Sequence, residues 1–201
     1  LKVLKDKDAW WFMFFYSVTF GGFVGLASSL TIYFNTQYGL DPKMAGFFTA
    51  ACVFAGSLVR PIGGNVADRI GGIKSLTVMY VFAAIFLTIV SFGLPQAWMA
   101  LAVFVCAMLS LGMGNGAVFQ LVPQRFRKEI GVMTGLVGMA GGVGGFYLAS
   151  SLGYSRQMTG SYQAGFLIFA ALAIAALIGL TAVKGRWRTT WGAPHLTNAR
   201  I

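Results

Sequence analysis

Apolar residues run in long blocks along this chain, broken by short polar punctuation. The blocks are too long for strands or for the cores of soluble helices, since a helix needs about 20 apolar residues to cross a bilayer. They predict six spans, at about 9–34, 44–66, 73–94, 97–122, 130–152 and 162–183. Gly39-Leu40-Asp41-Pro42 reads as a turn before a helix start, and Gly71-Gly72 separates the second and third spans. Pro95 suits the first turn of the fourth span and Pro123 its end, while 153–160 reads as a polar loop. Residues 1–8 read as a polar linker and 189–201 as a tail. The fold class is an all-α membrane protein of six transmembrane helices, with the lipid bilayer as its first partner.

Composition agrees. Of 201 residues, 57% are hydrophobic and 10% charged, and mean hydropathy is +0.74. A soluble domain carries about 25% charged residues. The opening at Leu1, with Lys2, Lys5, Asp6, Lys7 and Asp8 close behind, reads as an internal loop, so the chain is expected to be a piece of a longer protein.

The net charge of +10 suggests nucleic acid at first sight, but the basic residues do not share one soluble face. They lie between the apolar blocks. Lys2, Lys5, Lys7, Arg69, Lys74, Arg125, Arg127, Lys128, Lys184, Arg186, Arg188 and Arg200 fall on one side, and Lys43 and Arg156 on the other. By the positive-inside rule both termini are cytoplasmic. Trp10, Trp11, Trp98, Trp187 and Trp191 fall near span ends, as an aromatic belt does. Cys52 and Cys106 read as free thiols inside apolar blocks, and His195 lies in the tail. Neither a metal cluster nor a catalytic triad is expected, and the chain does not read as an enzyme or a cofactor protein.

Arg60 is the remaining basic residue and the one charge inside a span, roughly 24 Å along the second span from Met44. An arginine at such a depth costs roughly 2.5–3.5 kcal/mol on insertion scales. It either snorkels towards Asp68 or faces a central cavity. Pro61 follows it, which frees the Ser57 carbonyl and bends the helix. In the fifth span Gly131, Gly135, Gly138, Gly142 and Gly145 step by 4, 3, 4 and 3, one stripe widened by Gly141 and Gly144. The stripe permits close helix packing or leaves backbone open to a small ligand.

Gly64-Asn65-Val66-Ala67-Asp68-Arg69-Ile70-Gly71-Gly72-Ile73-Lys74 resembles the loop motif of the major facilitator superfamily, with Val66 and Gly72 departing from its pattern. Ser57 through Gly64, Gly112 through Pro123 and Thr134 through Phe146 resemble the C-terminal six-helix half of that superfamily's nitrate/nitrite porters. The resemblance implies nitrate and nitrite as substrates, a second half that supplies another arginine, and a site in the bacterial inner membrane. It places the anion-gripping arginine at Arg60, pocket aromatics at Tyr16 and Phe20, and close-approach glycines at Gly144 and Gly145, with Gly141 and Asn115 nearby. Asp68 and Arg69 would form a conformational latch, Asp68 accepting amides at a helix start. Exchange of nitrate for nitrite is the expected mode, with proton symport as the alternative. A carrier half for another small anion, or a non-transporting membrane subunit, are the competing readings.

Overall fold

The computed structural model describes residues 2–191. A short 3-10 turn, Lys2–Lys5, leads into α1 (Lys7–Tyr38). Then follow α2 (Pro42–Leu58), α3 (Arg60–Ile70), α4 (Gly72–Ser91), α5 (Ala97–Arg125), α6 (Ile130–Thr159) and α7 (Gln163–Thr190). Helices α2 and α3 are two segments of one span, so six spans among the described residues are long and apolar enough to cross a membrane.

The helix ends follow from local chemistry. Asp6 caps α1 by accepting the Asp8 amide at 2.9 Å, and Gly39 closes it in the left-handed conformation with φ of 64°. Asp41 caps α2 by accepting the Lys43 amide at 3.1 Å, with Pro42 in the first turn. The span breaks at Val59, where Pro61 cannot donate back to Ser57.

Several boundaries differ from expectation. The segment 153–160 is no loop: α6 continues to Thr159 and ends at Gly160. Its polar residues bond within or just beyond the helix, Thr159 Oγ1 to the Ser155 carbonyl and Ser155 Oγ to the Ser161 carbonyl, each at 2.7 Å. Pro123 lies inside α5, which runs on to Arg125 because ion pairs hold that arginine. Pro95 precedes α5 rather than opening it, and α4 stops at Ser91 before a turn at Gly93. Lys7 and Asp8 belong to α1 and the tail begins after α7; His195 and Arg200 lie outside the described residues.

Glycines bring the spans together. A Cβ on Gly21 of α1 would lie 2.7 Å from the Gly144 carbonyl carbon of α6. One on Gly56 of α2 would lie 2.7 Å from the Met108 carbonyl oxygen, and one on Gly63 of α3 would lie 2.5 Å from the Met113 Cα. Backbones meet directly at these crossings, as small residues allow in lipid. The second and fifth spans bury only 28% of their apolar windows, against 44–61% for the others. They therefore present the faces most in need of cover.

At the basic end of the bundle, charges knit three spans. Asp8 is only 5% exposed. It accepts from Arg125 Nε of α5 at 2.9 Å, from Trp187 Nε1 of α7 at 2.8 Å, and from Arg186 Nη2. Arg125 also pairs with Asp6. The Trp187 ring stacks on Phe12 at 4.8 Å, which packs apolar surface around the carboxylate. Removing the acid leaves two guanidinium groups facing each other. Asp8→Ala is expected to destabilise the bundle by about 2–4 kcal/mol, and Asp6→Ala by less. Thermal unfolding in detergent checks the order; equal midpoints would show that the network carries no net stability.

Candidate functional site

The break at Val59 sets Arg60 at the start of α3, facing α1. Its guanidinium carbon lies 4.3 Å from the Phe23 ring centre and 5.3 Å from that of Phe20. Cation–π attraction holds the half-buried charge there. No carboxylate pairs with Arg60 among the described residues, and its Nε is buried without a hydrogen-bond partner. It does not reach Asp68 to form an ion pair.

Tyr16, Phe20 and Phe23 follow one another by four and three residues, so they share a face of α1. Tyr16 and Phe20 stack with ring centres 5.1 Å apart and planes within 5° of parallel. Phe119 of α5 meets Tyr16 edge-on at 4.9 Å. Gly141 of α6 lies against both rings: a Cβ there would come within 2.7 Å of Phe20 Cδ1 and 2.8 Å of Tyr16 Cδ1. Its missing side chain is what lets the aromatic pair lie flat on α6.

Asn115 stands in α5 between Leu111, which touches Gly22, and Phe119, which touches Tyr16. One helical face carries all three, so Asn115 faces the same stretch of α1. It is 2% exposed, and neither its Oδ1 nor its Nδ2 has a hydrogen-bond partner. The next residue, Gly116, contacts the Arg60 carbonyl oxygen and lets α5 press on the start of α3. Arg60, Tyr16, Phe20, Gly141 and Asn115 thus converge on one region. Phe23 and Phe119 complete it, and sequence reading passed over both. Phe23 carried a signal, since it lies seven residues after Tyr16 and on the same face.

Gly144 and Gly145 sit elsewhere. Gly144 packs on the Ser17 backbone, and a Cβ on Gly145 would lie 2.9 Å from Val24 Cγ1. Both serve the α1–α6 crossing in this structure. The glycine stripe divides accordingly. Gly131, Gly135, Gly138 and Gly142 have nothing within 4 Å of an added Cβ, whereas Gly141, Gly144 and Gly145 pack. Asp68 is exposed on the last turn of α3, beside a shallow cleft shared with Gly64, Gly116 and Gln124. It does not cap α4, whose first residue follows Gly71 with no side-chain hydrogen bond. Arg69 is exposed beside it.

Residues 1–149 match the Major Facilitator Superfamily model. The chain belongs to that superfamily. Its curated relatives include the nitrite extrusion protein of Bacillus subtilis, 37% identical over 88% of this chain and 44% of its own length. A probable nitrate transporter of Staphylococcus carnosus is 36% identical over 88% of this chain and 45% of its own. A probable nitrate/nitrite antiporter of Thermus thermophilus is 31% identical over 86% and 43%. The chain therefore spans somewhat under half the length of these relatives, as one half of a major facilitator fold does.

The two classes of glycine separate experimentally. Gly144→Ala should weaken the α1–α6 crossing and destabilise the protein by about 1–3 kcal/mol through overpacking. Gly138→Ala should leave this six-helix unit as stable or slightly more so, by up to about 1 kcal/mol from helix propensity. Unfolding of both variants in the same detergent measures the contrast, and the reverse order would refute the packing assignment.

Proposed function

We propose that this chain is the C-terminal half of a nitrate/nitrite transporter of the inner membrane, with Arg60 gripping the anion. The observation that carries the reading is the arginine itself, half-buried within a span, held on aromatic rings and paired with no acid among the described residues. The names borne by the relatives in Bacillus, Staphylococcus and Thermus support the same substrates.

Nitrate is a flat monoanion whose charge is spread over three oxygens. A guanidinium is flat, permanently charged and offers a fork of donors matching two of them. Asn115 offers a donor for a remaining oxygen and an acceptor for Arg60 Nε, two needs its surroundings leave unmet. The stacked faces of Tyr16 and Phe20 shape a flat slot, although ring faces repel anions, so edges or the Tyr16 hydroxyl make the direct contacts. The N-terminal half brings a second arginine and covers the exposed face of α2–α3 and the open glycine face of α6, at Gly131, Gly135, Gly138 and Gly142. Rocking of one half against the other then alternates access. Both termini are cytoplasmic on this reading, and the Asp68–Arg69 turn acts as a latch at the rim.

Exchange of nitrate for nitrite is the favoured mode. It is electroneutral, whereas nitrate entry alone opposes about 2.3 kcal/mol per 100 mV. The one buried acid among the described residues, Asp8, is already engaged by Arg125, Arg186 and Trp187 at the basic end of the bundle, away from Arg60.

Two variants of the assembled transporter test the site. Arg60→Lys keeps the charge but loses the fork, and should bind nitrate about 10- to 100-fold more weakly while folding normally. Undiminished affinity would remove Arg60 from the site. Asn115→Leu keeps the volume and removes a buried unpaired amide. It should raise stability by about 1–3 kcal/mol and lower nitrate affinity. A less stable protein with normal nitrate affinity would make Asn115 structural.

A further inference from the structure

The strongest feature outside the anion site is an apolar groove that leads to a basic cleft. The groove holds about 410 Å³ between α1, α6 and α7, with Trp10, Phe14, Met139, Val143, Tyr147 and Leu172 among its walls. Of its two hydroxyls, that of Ser17 already donates to the Phe14 carbonyl at 2.7 Å and that of Tyr147 belongs to an exposed side chain. The lining is otherwise almost wholly apolar, and the groove lies on spans long and apolar enough to cross a bilayer.

Trp10 joins the groove to the charges. It is 59% exposed, its ring lines the groove, and its Nε1 donates to the Leu4 carbonyl at 3.0 Å. Leu4 belongs to the short turn that carries Lys2 and Lys5, and Lys7 lies one helical turn before Trp10. These lysines border a cleft of about 770 Å³ with Arg125, Arg186 and Trp191. Its two acids, Asp6 and Asp8, are engaged by Arg125 and Arg186. Lys2, Lys5 and Lys7 are in no ion pair among the described residues, and Trp191 Nε1 is buried without a partner. An apolar slot at membrane depth thus ends at unneutralised cations and a spare indole donor at the interface.

We propose that this composite site binds one anionic phospholipid, an acyl chain in the groove and the phosphodiester on Lys2, Lys5, Lys7 and Trp191. Charge complementarity selects the lipid class. A zwitterionic lipid brings its own ammonium to a site already rich in cations, whereas phosphatidylglycerol presents a net negative head. The lipid would bridge α1, α6 and α7 on the side of α1 away from Arg60; it involves neither Arg60, Tyr16, Phe20 nor Asn115, and shares only Gly144 with the residues that the sequence resemblance assigned to the anion.

The test is native mass spectrometry of the delipidated, assembled transporter, titrated with phosphatidylglycerol or phosphatidylcholine of identical chains. At least one phosphatidylglycerol should be retained with on the order of tenfold preference, falling away in a Lys2→Gln, Lys5→Gln, Lys7→Gln triple variant. Val143→Trp, at an exposed groove position, should cut retention of both lipids. Inorganic phosphate alone should not raise the thermal midpoint. Equal retention of the two lipids, or an unchanged triple variant, overturns the headgroup assignment. Unchanged retention in folded Val143→Trp overturns the chain assignment, and stabilisation by phosphate alone assigns the cleft to a free anion. Retention of neither lipid would mean that protein covers the groove. Nitrate binding is measured in parallel, so loss of the lipid site and loss of the anion site are told apart.

Discussion

A guanidinium inside a hydrocarbon layer has to be surrounded by something that replaces water, and the centre of this bundle is organised by that need. Arg60 cannot discharge, and no acid in the described structure neutralises it. What it has is the faces of Phe20 and Phe23. That arrangement in turn requires α1 to present aromatics at the depth of the α2–α3 break, and α5 to come close enough to close the other side. Gly116 against the Arg60 carbonyl and Gly141 against the Tyr16–Phe20 pair supply the closeness. A larger residue at either position would push apart the walls that shelter the charge.

The same logic governs how the spans hold together. Lipid is as apolar as leucine, so burying apolar surface gives helices little reason to associate within the bilayer. Close backbone approach does, and it appears where Gly21 meets Gly144 and where Gly56 and Gly63 meet α5. Outside the hydrocarbon region the currency changes to charge, and Asp8 ties α1 to α5 and α7. The unit is thus pinned at mid-membrane by shape and at its basic end by ion pairs. A body pinned at two levels is suited to move as one piece, as the proposed rocking of one half against the other would need.

The span count, the break at Arg60 and the aromatic pair were legible in the sequence because each rests on a local rule: block length, a proline, a four-residue step. The boundaries that shifted were decided by partners far away in the chain. Pro123 reads as a stop, yet α5 extends past it because Arg125 finds Asp6 and Asp8 more than a hundred residues upstream. Ser155 and Thr159 read as loop residues, but their hydroxyls bond carbonyls of their own helix or just past its end. The glycine stripe had the right helix and an incomplete phase. Periodicity finds a face, but only the position of α1 tells which glycines pack and which stay open. Asp8 was unreadable as a hub, since nothing local distinguishes it from the acid two residues before.

On the proposed reading, the electrostatics of the site also bear on why exchange would fit better than simple uptake. Were the other half to bring an arginine of its own and no acid, closing the halves around an empty site would bring two like charges together in a medium that screens them poorly. With an anion between them, the same closure would join each cation to a counter-charge. Passage through the closed state would then be easier loaded than empty, and a carrier that crosses mainly when loaded in both directions is an exchanger. Aromatic cover sharpens the contrast. Phe20 and Phe23 stabilise Arg60 alone, but a ring face offers a cation much less than an oxyanion does at hydrogen-bond distance. The aromatic wall shelters the half-buried arginine, and such contacts are weak enough for an anion to displace.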